Sequence, residues 1–135
     1  MGTKTTINPV SVALAGVAIT KTDISGSTAS TSIIVAPTST QSSLNFEDLF
    51  VVVENYATSA SCTVTVKAGD NYSEVCIGDA ASVTIATATT KVIGGKELES
   101  ARFKDKNGYL NLNITTAATC YVYAIMQPFT ILNPK

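Results

Sequence analysis

The chain has 135 residues, enough for one domain with a buried core. Hydrophobic residues make up 45% and charged residues only 14%, which excludes a disordered composition and leaves Ser, Thr and Asn to supply the polar surface. A net charge of −1 with no long Lys/Arg run argues against nucleic acid as a partner, and the absence of histidine removes His-dependent triads and His-based metal sites.

Residues 1–6 are polar and are expected to fray. In residues 10–19, Val10, Val12 and Leu14 alternate with Ser11, Ala13 and Ala15, and Val17 and Ile19 resume after Gly16. This pattern predicts a strand with a glycine break, or two short strands. The run is too short and too broken to span a membrane, and no apolar segment backs the first basic residue, so synthesis in a reducing cytosol is expected. Residues 20–32 are rich in Ser, Thr and Gly and predict a loop or a loose edge. Ile33, Ile34 and Val35 form a short strand stopped by Pro37. Residues 1–45 are thus expected to be an N-terminal arm with the first short strands, and residues 46–135 the body of a single domain.

The signal strengthens from Phe46. Leu49, Phe50, Val51, Val52 and Val53 form an apolar run rich in β-branched residues, expected as a central strand covered on both faces. Cys62, Val64 and Val66 alternate with Thr63, Thr65 and Lys67, predicting a hairpin partner for that run. Residues 68–71 carry turn chemistry, and residues 72–77 are an irregular strand or an excursion. Val83 and Ile85 predict a fifth strand. Lys91, Val92 and Ile93 predict a short strand ended by Gly94 and Gly95.

Asn107-Gly108, with alternation on both sides, predicts a type I′ hairpin in which Ala101 and Phe103 face Leu110, Leu112 and Ile114. In the last strand Cys120, Val122, Ala124 and Met126 form one side, and Tyr121, Tyr123 and Ile125 the other. About eight or nine short strands at regular spacing predict an all-β fold, an antiparallel β-sandwich with jelly-roll-like connections and an extended N-terminal arm.

The chemistry-bearing candidates are weak. Glu97 and Glu99 lie two apart on one strand edge, where carboxylates more often repel than share a substrate. Asp70, Asn71, Asp79 and Asp105 sit in turns, where such side chains usually bond their own backbone, and no EF-hand spacing is present. Gly94-Gly95-Lys96 lacks the rest of a phosphate loop. Arg102, Lys104 and Lys106 read as a solvated strand face. The three cysteines, Cys62, Cys76 and Cys120, are widely spaced and odd in number, so buried free thiols are expected at Cys62 and Cys120. No catalytic residue, metal ligand or cofactor is assigned, and an enzyme is not expected. The Tyr121, Tyr123 and Ile125 stripe is either a second buried layer covered by the N-terminal segment or a subunit interface, where Tyr is enriched.

From about Leu49 onward the chain resembles a family of small virion proteins of tailed bacteriophages, described as capsid decoration or head structural proteins. The resemblance is carried by Leu49-Phe50-Val51-Val52-Val53-Glu54-Asn55, Cys62-Thr63-Val64-Thr65-Val66-Lys67-Ala68-Gly69-Asp70, Val83-Thr84-Ile85, and Lys91-Val92-Ile93-Gly94. Leu98-Glu99-Ser100-Ala101-Arg102-Phe103, of which residues 99–103 are the most distinctive part, and the strand after Asn107-Gly108 complete it. Gly95-Lys96 departs from the compact Gly-Pro-type turn more usual in that family. The resemblance implies a structural protein that binds the outside of a capsid and stabilises it. It also implies a place on the capsid exterior, the major capsid protein as partner, self-association into a symmetric oligomer such as a trimer, and no membrane. The expected contacts are Thr5, Ile7, Pro9, Val10 and Val12 in the arm, or Tyr121, Tyr123 and Ile125 on the last strand. A tail or baseplate structural protein and a carbohydrate-binding module are the alternatives.

Overall fold

The structure is a computed structural model that describes residues 4–24, 31–39, 41, 44–58, 60–68, 82–94, 98, 100–115 and 119–127. The strands are β1 (Lys4–Ile7), β2 (Val10–Ser11), β3 (Thr22–Asp23), β4 (Thr31–Val35), β5 (Leu49–Asn55), β6 (Cys62–Val66), β7 (Val83–Ile85), β8 (Thr89–Gly94), β9 (Leu110–Thr115) and β10 (Cys120–Met126). One helical turn, α1 (Ser100–Phe103), precedes β9. The protein is an all-β sandwich. One sheet has the order β1-β4-β9-β6-β7; the other has the order β2-β10-β5-β8, with β3 also on β10. Pairing is antiparallel except where β1 joins β4 and β2 joins β10, both parallel.

Period-two patterning explains the core. Leu110, Leu112 and Ile114 of β9, Cys62, Val64 and Val66 of β6, and Cys120, Val122, Ala124 and Met126 of β10 all point inward and are buried. Their neighbours Asn111, Asn113, Tyr121, Tyr123 and Ile125 are half-buried on the outer faces. β5 lies between β10 and β8, and Val52 and Glu54 on its outer face are also buried, which accounts for the continuous apolar run.

Several local expectations are corrected. Residues 4–6 are not frayed: β1 is paired along its length with β4, and Ile7 reaches the core. The segment expected as an arm thus supplies β1 and β4 to one sheet and β2 and β3 to the other. After β2 the chain does not resume as a strand at Val17. It turns, with the Gly16 amide donating to the Ala13 carbonyl at 3.0 Å and Gly16 at φ 90°, and runs exposed to residue 20. β5 and β6 are not a hairpin but belong to different sheets.

The stretch before β9 is not a strand either. Leu98 and Phe103 are both in the core although an odd number of positions apart. An unbroken strand would send them to opposite faces, so the chain breaks into α1 between them. The following loop is not a type I′ turn, because Asn107 does not adopt a positive φ; Gly108 does, at 86°. Asp105 organises the loop instead. Its Oδ1 accepts from the amides of Asn107 at 2.8 Å and Tyr109 at 2.9 Å, and its carbonyl accepts from Gly108. Only the Lys104–Leu110 bridge remains of the expected ladder.

Candidate binding surface

The outer face of the β2-β10-β5-β8 sheet carries a buried carboxylate and the polar side chains that hold it. Alternation places Glu54 of β5 outward beside Tyr121 and Tyr123 of β10, since Tyr121 pairs with Glu54 and Tyr123 with Val52. Glu54 is 7% exposed. Its Oε1 accepts from Lys21 Nζ at 2.9 Å and from the Tyr56 hydroxyl at 2.8 Å, and its Oε2 accepts from the Tyr123 hydroxyl at 3.0 Å. The buried carboxylate is thereby paired and hydrogen-bonded, which is what burial of a charge requires. The Lys21 ammonium, followed by the two tyrosine hydroxyls, holds the Glu54 carboxyl below its usual range despite burial. The same carboxylate raises Lys21 and the phenol of Tyr56, while burial first and then Glu54 raise the phenol of Tyr123. Tyr56 and Tyr121 meet edge to face with ring centres 5.7 Å apart.

Beside this network is a cleft of about 340 Å³. Tyr123 lines it together with Ile7, Pro9 and Val10, and threonines including Thr6, Thr20 and Thr22 form much of the rest. The two regions that the sequence offered as alternative contact faces therefore converge. Val10 pairs with Ile125 on β10, which is why the arm and the tyrosine stripe become neighbours. Ile7 is 5% exposed and packs in the core, and Pro9 is also buried, so both form a wall rather than a protruding contact. Thr5 lies on β1 opposite Ile33, away from the stripe, and Tyr121 and Ile125 are half-buried.

Val12 is exposed and begins the prominent apolar feature of this region. Between β2 and β3, residues 12–20 stand clear of the sheet, with Val12 45%, Leu14 107%, Val17 50% and Ile19 44% exposed. Both ends are fastened to β10: Val12 donates its amide to the Met126 carbonyl, and Ile24 donates to the Cys120 carbonyl, each at 3.0 Å. Phe50 and Val92 add exposed apolar surface on β5 and β8 of the same sheet. Four large aliphatic side chains on a fastened loop make an exposed apolar patch.

The opposite sheet carries a polar groove of about 530 Å³ lined by Ser32, Lys67, Asp105, Asn111 and Asn113. Asp105 is committed to its own loop, as turn chemistry predicts, and its Oδ2 also accepts from the side-chain amide of Asn111 at 2.8 Å. Among the described residues no three of His, Cys, Asp and Glu lie together as a metal-holding group, and no helix is long and apolar enough to cross a membrane. Asp70, Asn71, Cys76, Asp79, Gly95, Lys96, Glu97 and Glu99, and the excursion at 72–77, lie outside the described residues.

Lys21, Glu54 and Tyr56 were missed as site residues. A signal existed: Glu54 and Tyr56 are two apart and share the outward register of an otherwise apolar strand. Nothing local marked Lys21, which reaches Glu54 only because β3 docks on β10. A scan against protein-family models finds no matching family, and searches of curated proteins and of solved structures likewise find no match.

Proposed function

We propose that this chain is a structural virion protein that binds the outside of a phage capsid and stabilises it. The observation that carries the reading is the 12–20 loop, which holds four aliphatic side chains in water while both its ends are fastened to β10. Covering what remains exposed of each side chain contributes roughly 25 cal/mol per Å² of apolar surface before the costs of association. The low charge of the chain and its Ser/Thr/Asn surface suit a repeated, adhesive contact, and the resemblance of residues 49–114 to phage head proteins supplies the partner. The work is adhesion rather than catalysis. The Tyr56–Tyr121 pair and Phe50 flank the loop's sheet and extend the contact to the major capsid protein or to neighbouring copies in a symmetric oligomer.

The test replaces Val12, Leu14, Val17 and Ile19 together by serine and measures co-sedimentation with expanded heads. The variant keeps the circular dichroism of the parent and loses occupancy. Unchanged occupancy sinks the loop as the contact. Mass spectrometry of separated heads and tails tests the location, and recovery only with tails would replace the capsid reading by a tail role.

A further inference from the structure

Cys62 and Cys120 take no part in the binding surface, and both are buried in the core between the two sheets. Cys62 is the first residue of β6 in one sheet, and Cys120 the first residue of β10 in the other. Both are buried, at 1% and 0% exposure. Cys62 pairs with Ile85, and Cys120 pairs with Asn55. The Asn55 amide in turn donates to the Ile85 carbonyl at 3.0 Å, so the two cysteines lie at the same end of the sandwich on facing strands. Both side chains belong to the one core cluster between the sheets. Each thiol shifts the other: Cys120 lowers the Cys62 thiol's pKa, and Cys62 together with burial raises that of Cys120.

We propose that Cys62 and Cys120 are the site of an inter-sheet disulfide, formed when the folded chain meets a small-molecule disulfide oxidant. Thiols buried in one core at the same end of facing sheets reach disulfide geometry by side-chain rotation and a closing of the strand ends. Access comes from the same ends, because each cysteine opens its strand beside a loop, where local unfolding costs least. Cys62, as thiolate, attacks one sulfur of the oxidant; the other sulfur leaves and takes up the proton that Cys62 released. Cys120 then loses its proton and attacks the Cys62 sulfur of the mixed disulfide, expelling the second small thiol, which takes that proton. Two protein thiols are oxidised by two electrons, and one oxidant molecule is reduced to two thiols. The product closes a loop of roughly 60 residues and bolts together the two sheets at the end where Asn55 already links them.

The inference stands on the fold and is independent of the capsid reading, because its test uses the isolated full chain. Purified protein is incubated with oxidised glutathione and then digested with trypsin. The digestion separates the three cysteines onto residues 22–67, 68–91 and 107–135. Intact mass is expected to fall by two hydrogens without a glutathione adduct, with a cross-link between peptides 22–67 and 107–135. The unfolded fraction at a given urea concentration falls by a factor of about 30 or more and recovers with dithiothreitol. The Cys76→Ser variant forms the same cross-link. A bridge to Cys76 in place of the Cys62–Cys120 pair overturns the proposal. So does a native chain that keeps its thiols while the urea-unfolded chain oxidises.

Discussion

The side-chain amide of Asn55 donates to the main-chain carbonyl of Ile85 at 3.0 Å and so joins one sheet of the sandwich to the other. Asn55 is 2% exposed. It also donates to the carbonyls of Ala60 and Ala86, and its Oδ1 accepts from the Ala57 amide at 3.0 Å. One buried side chain thereby holds the end of β5, the link toward β6 and the corner after β7. Asn55→Ala leaves the buried Ile85 carbonyl and the buried Ala57 amide without their partner and is expected to cost about 2–4 kcal/mol. Urea unfolding followed by tyrosine fluorescence measures it. A loss below about 1 kcal/mol would show that water replaces the amide.

Gly94 ends β8 at φ 138°, and a Cβ built there would stand 2.2 Å from the Leu49 carbonyl oxygen. Both the backbone conformation and the contact exclude a side chain. Gly94→Ala is expected to destabilise by about 2 kcal/mol or more, with amides of β8 losing hydrogen-exchange protection before those of β10. Equal loss across both strands would mean that the sheet responds as one unit instead.

The Glu54 network predicts two pH limits. The carboxyl is depressed in the folded chain below the ordinary 4.5, so the unfolded chain binds more protons in that window. Its stabilisation is present above pH 4.5 and is lost as pH falls through the lower folded value. Lys21, raised above 10.5, and the phenols of Tyr56 and Tyr123, raised above 10.0, act in the opposite sense. Their stabilisation is present below those ordinary values and is lost as pH rises through the folded ones. Urea midpoints across both windows should fall at each end for the parent chain. Glu54→Gln should lower the neutral-pH midpoint and reduce the dependence at each end.

Shortening the chain and smoothing its loop should have different outcomes. Removing residues 1–9 deletes β1, which pairs with β4, and takes Ile7 from the core. It is expected to cost about 3 kcal/mol or more, since a buried isoleucine alone accounts for 2–5 kcal/mol on truncation to alanine. Leu14→Ser, at a side chain that touches little, should change stability by no more than about 0.5 kcal/mol. Thermal unfolding of the two variants distinguishes a folded-in strand from a free loop.

The local pattern determined the all-β class, the inward registers of β6, β9 and β10, and the turn role of Asp105. Each depends on period-two alternation or on a side chain bonding its own backbone, and both are properties of neighbouring residues. Tertiary structure decided the rest. Leu98 and Phe103 broke an apparently regular strand into a helical turn because both had to reach one core. The polar N-terminal residues became an ordered strand because β4 offered an edge for parallel pairing, which no local sequence signal encodes. Glu54 and Tyr56 met Tyr123 because β5 pairs with β10, and Lys21 joined them because β3 docked on β10, across about a hundred positions of chain. Alternation says which way a side chain points from its own strand. Only the order of strands in the sheets says what it will meet there.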